Sequence, residues 1–161
     1  MRKRLVLVLA VVVLASVWAS AQVRRPTAEV AARVDTRTPK AGGTVRLVAH
    51  VRLPAGLHVQ SNKPKDPDLI PTDLAVTPPK GVRMVDIVYP KATDITLPGY
   101  KLPLAVYGNE FDIVVRVRLD PGVTPGSLTV PATLRYQACN DSVCFPPARA
   151  EVSWSVQVVK G

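Results

Sequence analysis

Apolar and polar residues alternate along most of the chain after residue 27, with the two-residue period of half-buried β-strands. The alternation is clearest in segments 44–53, 111–119 and 151–158. In the first of these, His50 lies on the polar face, and the inward positions are Val45, Leu47, Ala49, Val51 and Leu53. Weaker alternation predicts further strands at 28–34, 57–61, 73–77, 82–89 and 128–136.

Segments rich in proline and glycine separate these runs, at 39–43, 54–56, 64–71, 78–81, 98–99, 121–126 and 146–147. Sixteen prolines are incompatible with long helices, whereas turns and edge strands tolerate them. Seven or eight short strands separated by turn residues predict an all-β fold, an immunoglobulin-like antiparallel sandwich of two sheets.

The first 21 residues have the layout of a secretory signal peptide. Residues 2–4 are basic, residues 5–18 form an uncharged apolar run of fourteen, and Ala19-Ser20-Ala21 is a small-x-small cleavage pattern. The run is shorter than the roughly 20 residues that span a bilayer, although a retained anchor is the alternative. We therefore predict a periplasmic protein with a signal peptide at 1–21, a short segment at 22–27 and one domain at 28–161.

Charge and motifs exclude several classes of function. Removing the three leader charges from 21 basic residues leaves 18 against 12 acidic residues, a net charge of +6. The basic residues are scattered and lack aromatic platforms, which argues against nucleic-acid binding. The sequence has no glycine-rich phosphate loop, serine nucleophile motif or carboxylate dyad. We therefore expect no cofactor and no hydrolase activity.

The two cysteines, Cys139 and Cys144, enclose a loop with the turn-forming residues Asn140, Asp141 and Ser142. Two cysteines in an exported chain normally pair. Facing residues of a hairpin have Cα atoms about 4.5–5.5 Å apart, within reach of a disulfide. So short a loop restricts the unfolded chain by only about 2 kcal/mol.

Three roles for this pair follow from the residues alone. A short and accessible disulfide suits reversible redox exchange. A hairpin staple in a non-catalytic binding or assembly module is the second role. A metal site made of Cys139, Cys144 and His58 is the third and is disfavoured, because it supplies only three ligands. The redox potential of the bridge would separate the first two roles.

The segment Tyr136-Gln137-Ala138-Cys139 through Cys144-Phe145-Pro146-Pro147 resembles the active-site segment of the N-terminal periplasmic domain of DsbD, the transmembrane thiol:disulfide interchange protein. The loop is one residue shorter than in the best-known members, and the resemblance extends to residues 56–64. It implies an immunoglobulin-like fold and a thiol-disulfide oxidoreductase that relays electrons. By position, Cys144 would form the mixed disulfides and Cys139 would resolve them.

The resemblance also implies site-lining residues and partners. Tyr136, Phe145 and His58 would lie near the sulfurs, and Tyr100 would belong to a cap loop at residues 97–100. Tyr136 and Phe145 have an alternative role as fillers of the end of the sandwich. The expected partners are a membrane-embedded DsbD-like reductase and periplasmic thioredoxin-fold proteins. The sequence contains no transmembrane domain and no Cys-x-x-Cys thioredoxin-like domain after the sandwich, so we expect the reductase to be a separate protein.

Overall fold

The computed structural model describes residues 26–160, which form eleven β-strands and no helix. The strands are β1 (Glu29–Val34), β2 (Thr44–Arg52), β3 (His58–Gln60), β4 (Asp73–Val76), β5 (Val82–Val88), β6 (Thr93–Ile95), β7 (Leu104–Tyr107), β8 (Glu110–Leu119), β9 (Gly126–Tyr136), β10 (Ala138–Cys139) and β11 (Ala148–Val158). Consequently no segment in this part of the chain is a helix that could cross a membrane. The predicted leader at 1–21 and residues 22–25 lie outside the described residues.

The strands form three antiparallel sheets around one core. The first sheet has the order β1-β2-β8-β5, the disulfide sheet has the order β10-β3-β7-β6, and the third sheet has the order β11-β9-β4. The chain passes from the third sheet into the disulfide sheet at Gln137, between β9 and β10. The β9–β11 ladder ends there, at the pair Tyr136–Ala148.

The core is built from the inward positions of the alternating strands. Trp154 of β11 is fully buried, and its indole N–H donates to the carbonyl of Val48 on β2 at 2.8 Å. A tryptophan can be buried in this way because its polar N–H finds an acceptor. The same cluster takes one apolar residue from each strand of the disulfide sheet except β6: Val59, Tyr107 and Ala138. The main core therefore also supports the strands that carry the cysteines.

Charged side chains cover the outer face of the first sheet in pairs. His50 is half-buried, and its Nδ1 lies 2.7 Å from a carboxylate oxygen of Asp112. Arg116 pairs across the sheet with Asp86, and this hydrogen bond holds the pKa of the Asp86 carboxyl below its usual range. Such exposed pairs stabilise a fold only slightly.

The structure confirms the all-β, immunoglobulin-like antiparallel fold, and each of the eight predicted strands is present. The sequence prediction missed β6, β7 and β10 and expected two sheets instead of three. β6 and β10 have three and two residues, too few to show a period. All four residues of β7 are buried, so that β7 has no polar face and no alternation.

Candidate functional site: the Cys139–Cys144 disulfide

Cys139 and Cys144 form a disulfide that closes a hairpin, with Cα atoms 4.0 Å apart. The Phe145 N–H donates to the Ala138 carbonyl and the Asn140 N–H donates to the Val143 carbonyl, both at 2.9 Å. These two bonds flank the cysteines, which therefore occupy a non-hydrogen-bonded pair of the ladder. Facing Cα atoms approach most closely at such pairs, near 4.5 Å, and the disulfide draws them slightly closer.

Asn140 fixes the turn inside the hairpin. Its side-chain oxygen accepts hydrogen bonds from the backbone N–H groups of Ser142 at 2.9 Å and Val143 at 2.8 Å. Asparagine favours turns because its short side chain can bind backbone groups a few residues ahead. The loop between the cysteines is consequently held by local bonds as well as by the disulfide.

The two cysteines differ in exposure. Cys139 lies on β10 and is only 1% exposed, whereas Cys144 lies in the returning segment and is exposed. Strand β10 pairs with β3, so that Cys139 stands opposite His58. A partner protein approaching from solvent can therefore reach Cys144 more easily than Cys139.

A small cavity of about 40 Å³ lies beside the disulfide. Its walls are the cysteine loop from 139 to 144, His58, Leu104 and three residues of the segment 97–100, namely Leu97, Pro98 and Tyr100. In that segment, which we call the cap, the Tyr100 N–H donates to the Leu97 carbonyl at 3.3 Å, closing a turn. Pro98 and Gly99 occupy its middle positions, and Gly99 has a φ of +90°, as a type II turn requires.

His58 is almost fully buried beside the disulfide, and its Nε2 has no hydrogen-bond partner. Burial lowers the pKa of His58, while the nearby carboxylate of Asp141 acts in the opposite direction. The neutral imidazole is therefore the favoured form at neutral pH. Sequence reasoning treated His58 as a candidate, and the structure places it at the cavity wall.

The other residues suggested by the resemblance divide between the cavity and the core. Tyr100 lines the cavity and is 40% exposed. Tyr136 points into the main core, where its hydroxyl accepts a hydrogen bond from the Ala28 N–H at 2.6 Å. Phe145 is half-buried and packs against the same core. Tyr136 and Phe145 do not line the cavity, which favours their alternative role as fillers of the end of the sandwich.

One buried polar residue of this region was missed at the sequence level. Gln60 on β3 is fully buried, and neither its amide oxygen nor its amide nitrogen has a partner. Because residues i and i+2 of a strand share a face, Gln60 points to the same side as His58. The two-residue spacing from His58, which places both polar side chains on one face of the predicted strand, was the signal that could have identified it.

Other features of the described residues offer weaker chemistry. A larger depression of about 450 Å³ lies at the opposite loops, lined by Lys80, Asp120 and residues 122–128. Asp120 is already paired with Arg83 at 2.7 Å. Within residues 26–160, no three His, Cys, Asp or Glu side chains are close enough together to hold a metal ion.

Most of the chain matches a known protein family. Residues 23–155 match the family model described as thiol:disulfide interchange protein DsbD, N-terminal. A search of curated proteins found no match. Ten solved chains match, and two of them are described below; at under 25% identity such likeness concerns the fold alone.

The first is the N-terminal periplasmic domain of ScsB from Proteus mirabilis, with 15% identity and a TM-score of 0.51. The match covers 86% of this chain but only 49% of that one, so the chain spans about half the length of this relative. The second is the N-terminal domain of DsbD from Neisseria meningitidis in the reduced form, with 17% identity, a TM-score of 0.44 and coverage of 80% and 85%. On the family match, which takes in most of the sequence, the chain belongs to the family of DsbD N-terminal domains.

Proposed function

We propose that the protein is a periplasmic thiol-disulfide oxidoreductase that relays electrons through a reversible Cys139–Cys144 disulfide. Its donor would be a membrane-embedded DsbD-like reductase, and its clients would be periplasmic thioredoxin-fold proteins. The observation that carries this proposal is the unequal exposure of the two cysteines, since Cys144 is exposed and Cys139 is buried. A purely structural bridge has no need of such an asymmetry.

Electron uptake begins when a donor thiolate attacks Sγ of Cys144. A bond forms between the donor sulfur and Cys144, the Cys139–Cys144 bond breaks, and Cys139 leaves as a thiolate that takes up a proton. A second donor thiol then attacks the first donor sulfur, which oxidises the donor and reduces both cysteines by two electrons in total. Delivery to a client runs in reverse, with Cys144 attacking and Cys139 resolving.

Exposed apolar and aromatic side chains lie near the exposed cysteine. Val143, which is 53% exposed, directly precedes Cys144, and Tyr100 of the cap lines the same cavity as Cys144. Leu102, also 53% exposed, follows Tyr100 by two residues. Apolar and aromatic groups at the centre of a surface patch are typical of protein contacts. This rim suits the brief docking of a protein partner around Cys144, with Tyr100 as a lid over the disulfide.

The redox potential of the bridge tests the relay. The oxidised protein is incubated with glutathione buffers and with a thioredoxin-type dithiol protein, and the fraction reduced is measured by thiol alkylation. We expect equilibration within the range of these buffers. A structural staple would instead lie below about −300 mV and remain oxidised throughout.

Trapping of mixed disulfides tests the roles of the two sulfurs. Cys139→Ser should accumulate a mixed disulfide through Cys144 with the oxidised form of a thioredoxin-fold protein, because Cys144 can attack the disulfide of that protein and no resolving thiol is left. Cys144→Ser is the matched control and should accumulate little, because its remaining thiol is buried. Equal trapping by the two variants would remove the assigned roles, and trapping by neither would remove the relay.

A further inference from the structure

Strand β3 holds buried polar atoms that nothing in the described fold satisfies. Within residues 26–160, the buried side-chain nitrogen and oxygen atoms without a hydrogen-bond partner are His58 Nε2, Gln60 Nε2 and Gln60 Oε1. An unsatisfied buried polar group costs about 1–3 kcal/mol, so that its retention calls for an explanation. All three atoms belong to one face of one strand, and His58 on that face lies beside the disulfide.

His58 is placed against the buried cysteine. The antiparallel register pairs His58 with Cys139, and facing side chains in such a pair have Cβ atoms about 4.5–5.5 Å apart. Both residues also line the cavity of about 40 Å³ at the disulfide. The unpaired imidazole nitrogen is therefore confined near the sulfur that must lose a proton before it can act as a nucleophile.

We propose that His58 is the proton acceptor for Cys139 when that thiol resolves a mixed disulfide on Cys144. This inference rests on the proposed relay and adds to it the group that activates the buried sulfur. The thiolate is the nucleophile in thiol-disulfide exchange, and burial in apolar surroundings disfavours thiolate formation. An adjacent base compensates for this, as it does for other buried nucleophiles.

The step balances as follows. The Cys139 thiol gives its proton to a nitrogen of the neutral His58 ring while its sulfur attacks Sγ of Cys144. The Cys139–Cys144 bond forms, the bond between Cys144 and the client sulfur breaks, and the client sulfur leaves with the electron pair as a thiolate. The imidazolium of His58 then releases the proton to solvent through the cysteine loop.

The surroundings of His58 suit a base that is charged only briefly. Burial keeps the ring neutral and so able to accept a proton, because it lowers the pKa of His58. The groups that face it across the cavity are the Asp141 carboxylate from the cysteine loop and the Tyr100 phenol from the cap, while β7 contributes the apolar Leu104. The charge of Asp141 favours the imidazolium once it has formed.

The test uses a small aromatic disulfide, 5,5′-dithiobis(2-nitrobenzoate), and needs no protein partner. Cys144 of the reduced protein attacks the reagent and releases the first thionitrobenzoate, and Cys139 then releases the second as it closes the disulfide. Stopped-flow absorbance separates the bimolecular first phase from the unimolecular second phase. We expect His58→Gln to slow the second phase at pH 7 by at least about a hundredfold, the low end of effects of a positioned base.

The pH profile of the second phase gives a signature that a packing defect would not. In the wild type, the rate should rise with pH as His58 loses its proton and then level off below the ordinary imidazole value of about 6.5. In His58→Gln, the rate should keep rising beyond the ordinary thiol value of about 8.5, because hydroxide or water must remove the proton from a buried thiol. An unchanged profile in the variant would overturn the proposal.

His50→Gln is the matched control, since His50 is the other histidine of the chain and lies on the outer face of the first sheet. It should leave both phases unchanged, and equal slowing of both phases by His58→Gln would count against a specific role at Cys139. If the relay proposal fails, protein dithiols will not exchange with the bridge. The second phase of the reaction with the reagent, in which Cys139 closes the disulfide, still shows whether His58 assists Cys139.

Nitrogen chemical shifts of the histidine rings test the proposal without any substitution. In the reduced wild-type protein, the His58 resonances should respond to the titration of Cys139, and this response should vanish in Cys139→Ser. The His50 resonances should be the same in both proteins. Identical His58 titration curves in the two proteins would overturn the proposal even if His58→Gln failed to fold.

Discussion

The main core and the disulfide sheet differ in strand length and in how their buried polar groups are satisfied. In the main core, between the first and third sheets, the four longest strands have nine to eleven residues and pair along their length, and the large side chains are fully buried. Where a polar group is buried there, it has a partner, as Trp154 has in the Val48 carbonyl. Strand length, side-chain burial and hydrogen bonding in this region therefore all stabilise the fold.

The disulfide sheet has shorter strands and unsatisfied buried polar groups, and exposed apolar side chains lie beside it. Its strands have two to four residues, and its face contains the unsatisfied side chains of His58 and Gln60. Apolar side chains such as Val143 stand in solvent beside Cys144. Departures from local consistency collect at functional sites because the rest of the fold can bear their cost. The comparison indicates that stability resides mainly in one region and chemistry in the other.

Trp154→Ala should produce the largest loss of stability. The substitution empties a fully buried site in the main core, and such changes cost about 3–5 kcal/mol in the free energy of unfolding. Because Trp154 is the only tryptophan after Trp18, urea unfolding is best followed by circular dichroism. Trp154→Phe keeps most of the packing and should lose less. A loss below 1 kcal/mol for Trp154→Ala, far under that range, would contradict the division between the two regions.

Reduction of the disulfide should have a smaller effect on stability. The loop that it closes is so short that its loss should cost at most about 2 kcal/mol. The measurement compares the urea midpoint of the oxidised protein with that of the same protein under a phosphine reductant, and it needs no substitution. If reduction cost as much as Trp154→Ala, the bridge would be a staple and the contrast would fail.

The main core could be predicted from sequence because its physical signal is repeated. In segments 44–53 and 111–119, nearly every second residue is apolar, and one face of each strand is buried against the opposite layer. Burial of one face forces the two-residue period, so the period reveals the strand. The continuously buried β7 gives no such signal, and the division into three sheets depends on where the ladder breaks at Gln137.

The candidate site was only partly predictable. The cysteines and their hairpin follow from spacing and turn residues, whereas the unequal exposure of Cys139 and Cys144 depends on the pairing of β10 with β3. That pairing joins segments almost 80 residues apart, and no local pattern contains it. The burial of His58 and Gln60 has the same origin.

Tyr100→Ala should have the smallest effect on the free energy of unfolding and should still change the rate at which the disulfide is reduced. Tyr100 is 40% exposed, and substitutions at such positions usually change stability by less than about 0.5 kcal/mol. Because the ring lines the cavity beside the disulfide, its removal should open the bridge and speed its reduction by dithiothreitol several times over.

Met84→Ala is a matched control for this prediction, because Met84 is 37% exposed and lies on β5, in a sheet that does not contain the cysteines. It should leave both the unfolding midpoint and the reduction rate unchanged. If Tyr100→Ala destabilised the protein without affecting reduction, the cap would be a structural turn. If it accelerated reduction alone, access to Cys144 would be controlled by a segment that contributes little to the stability of the fold.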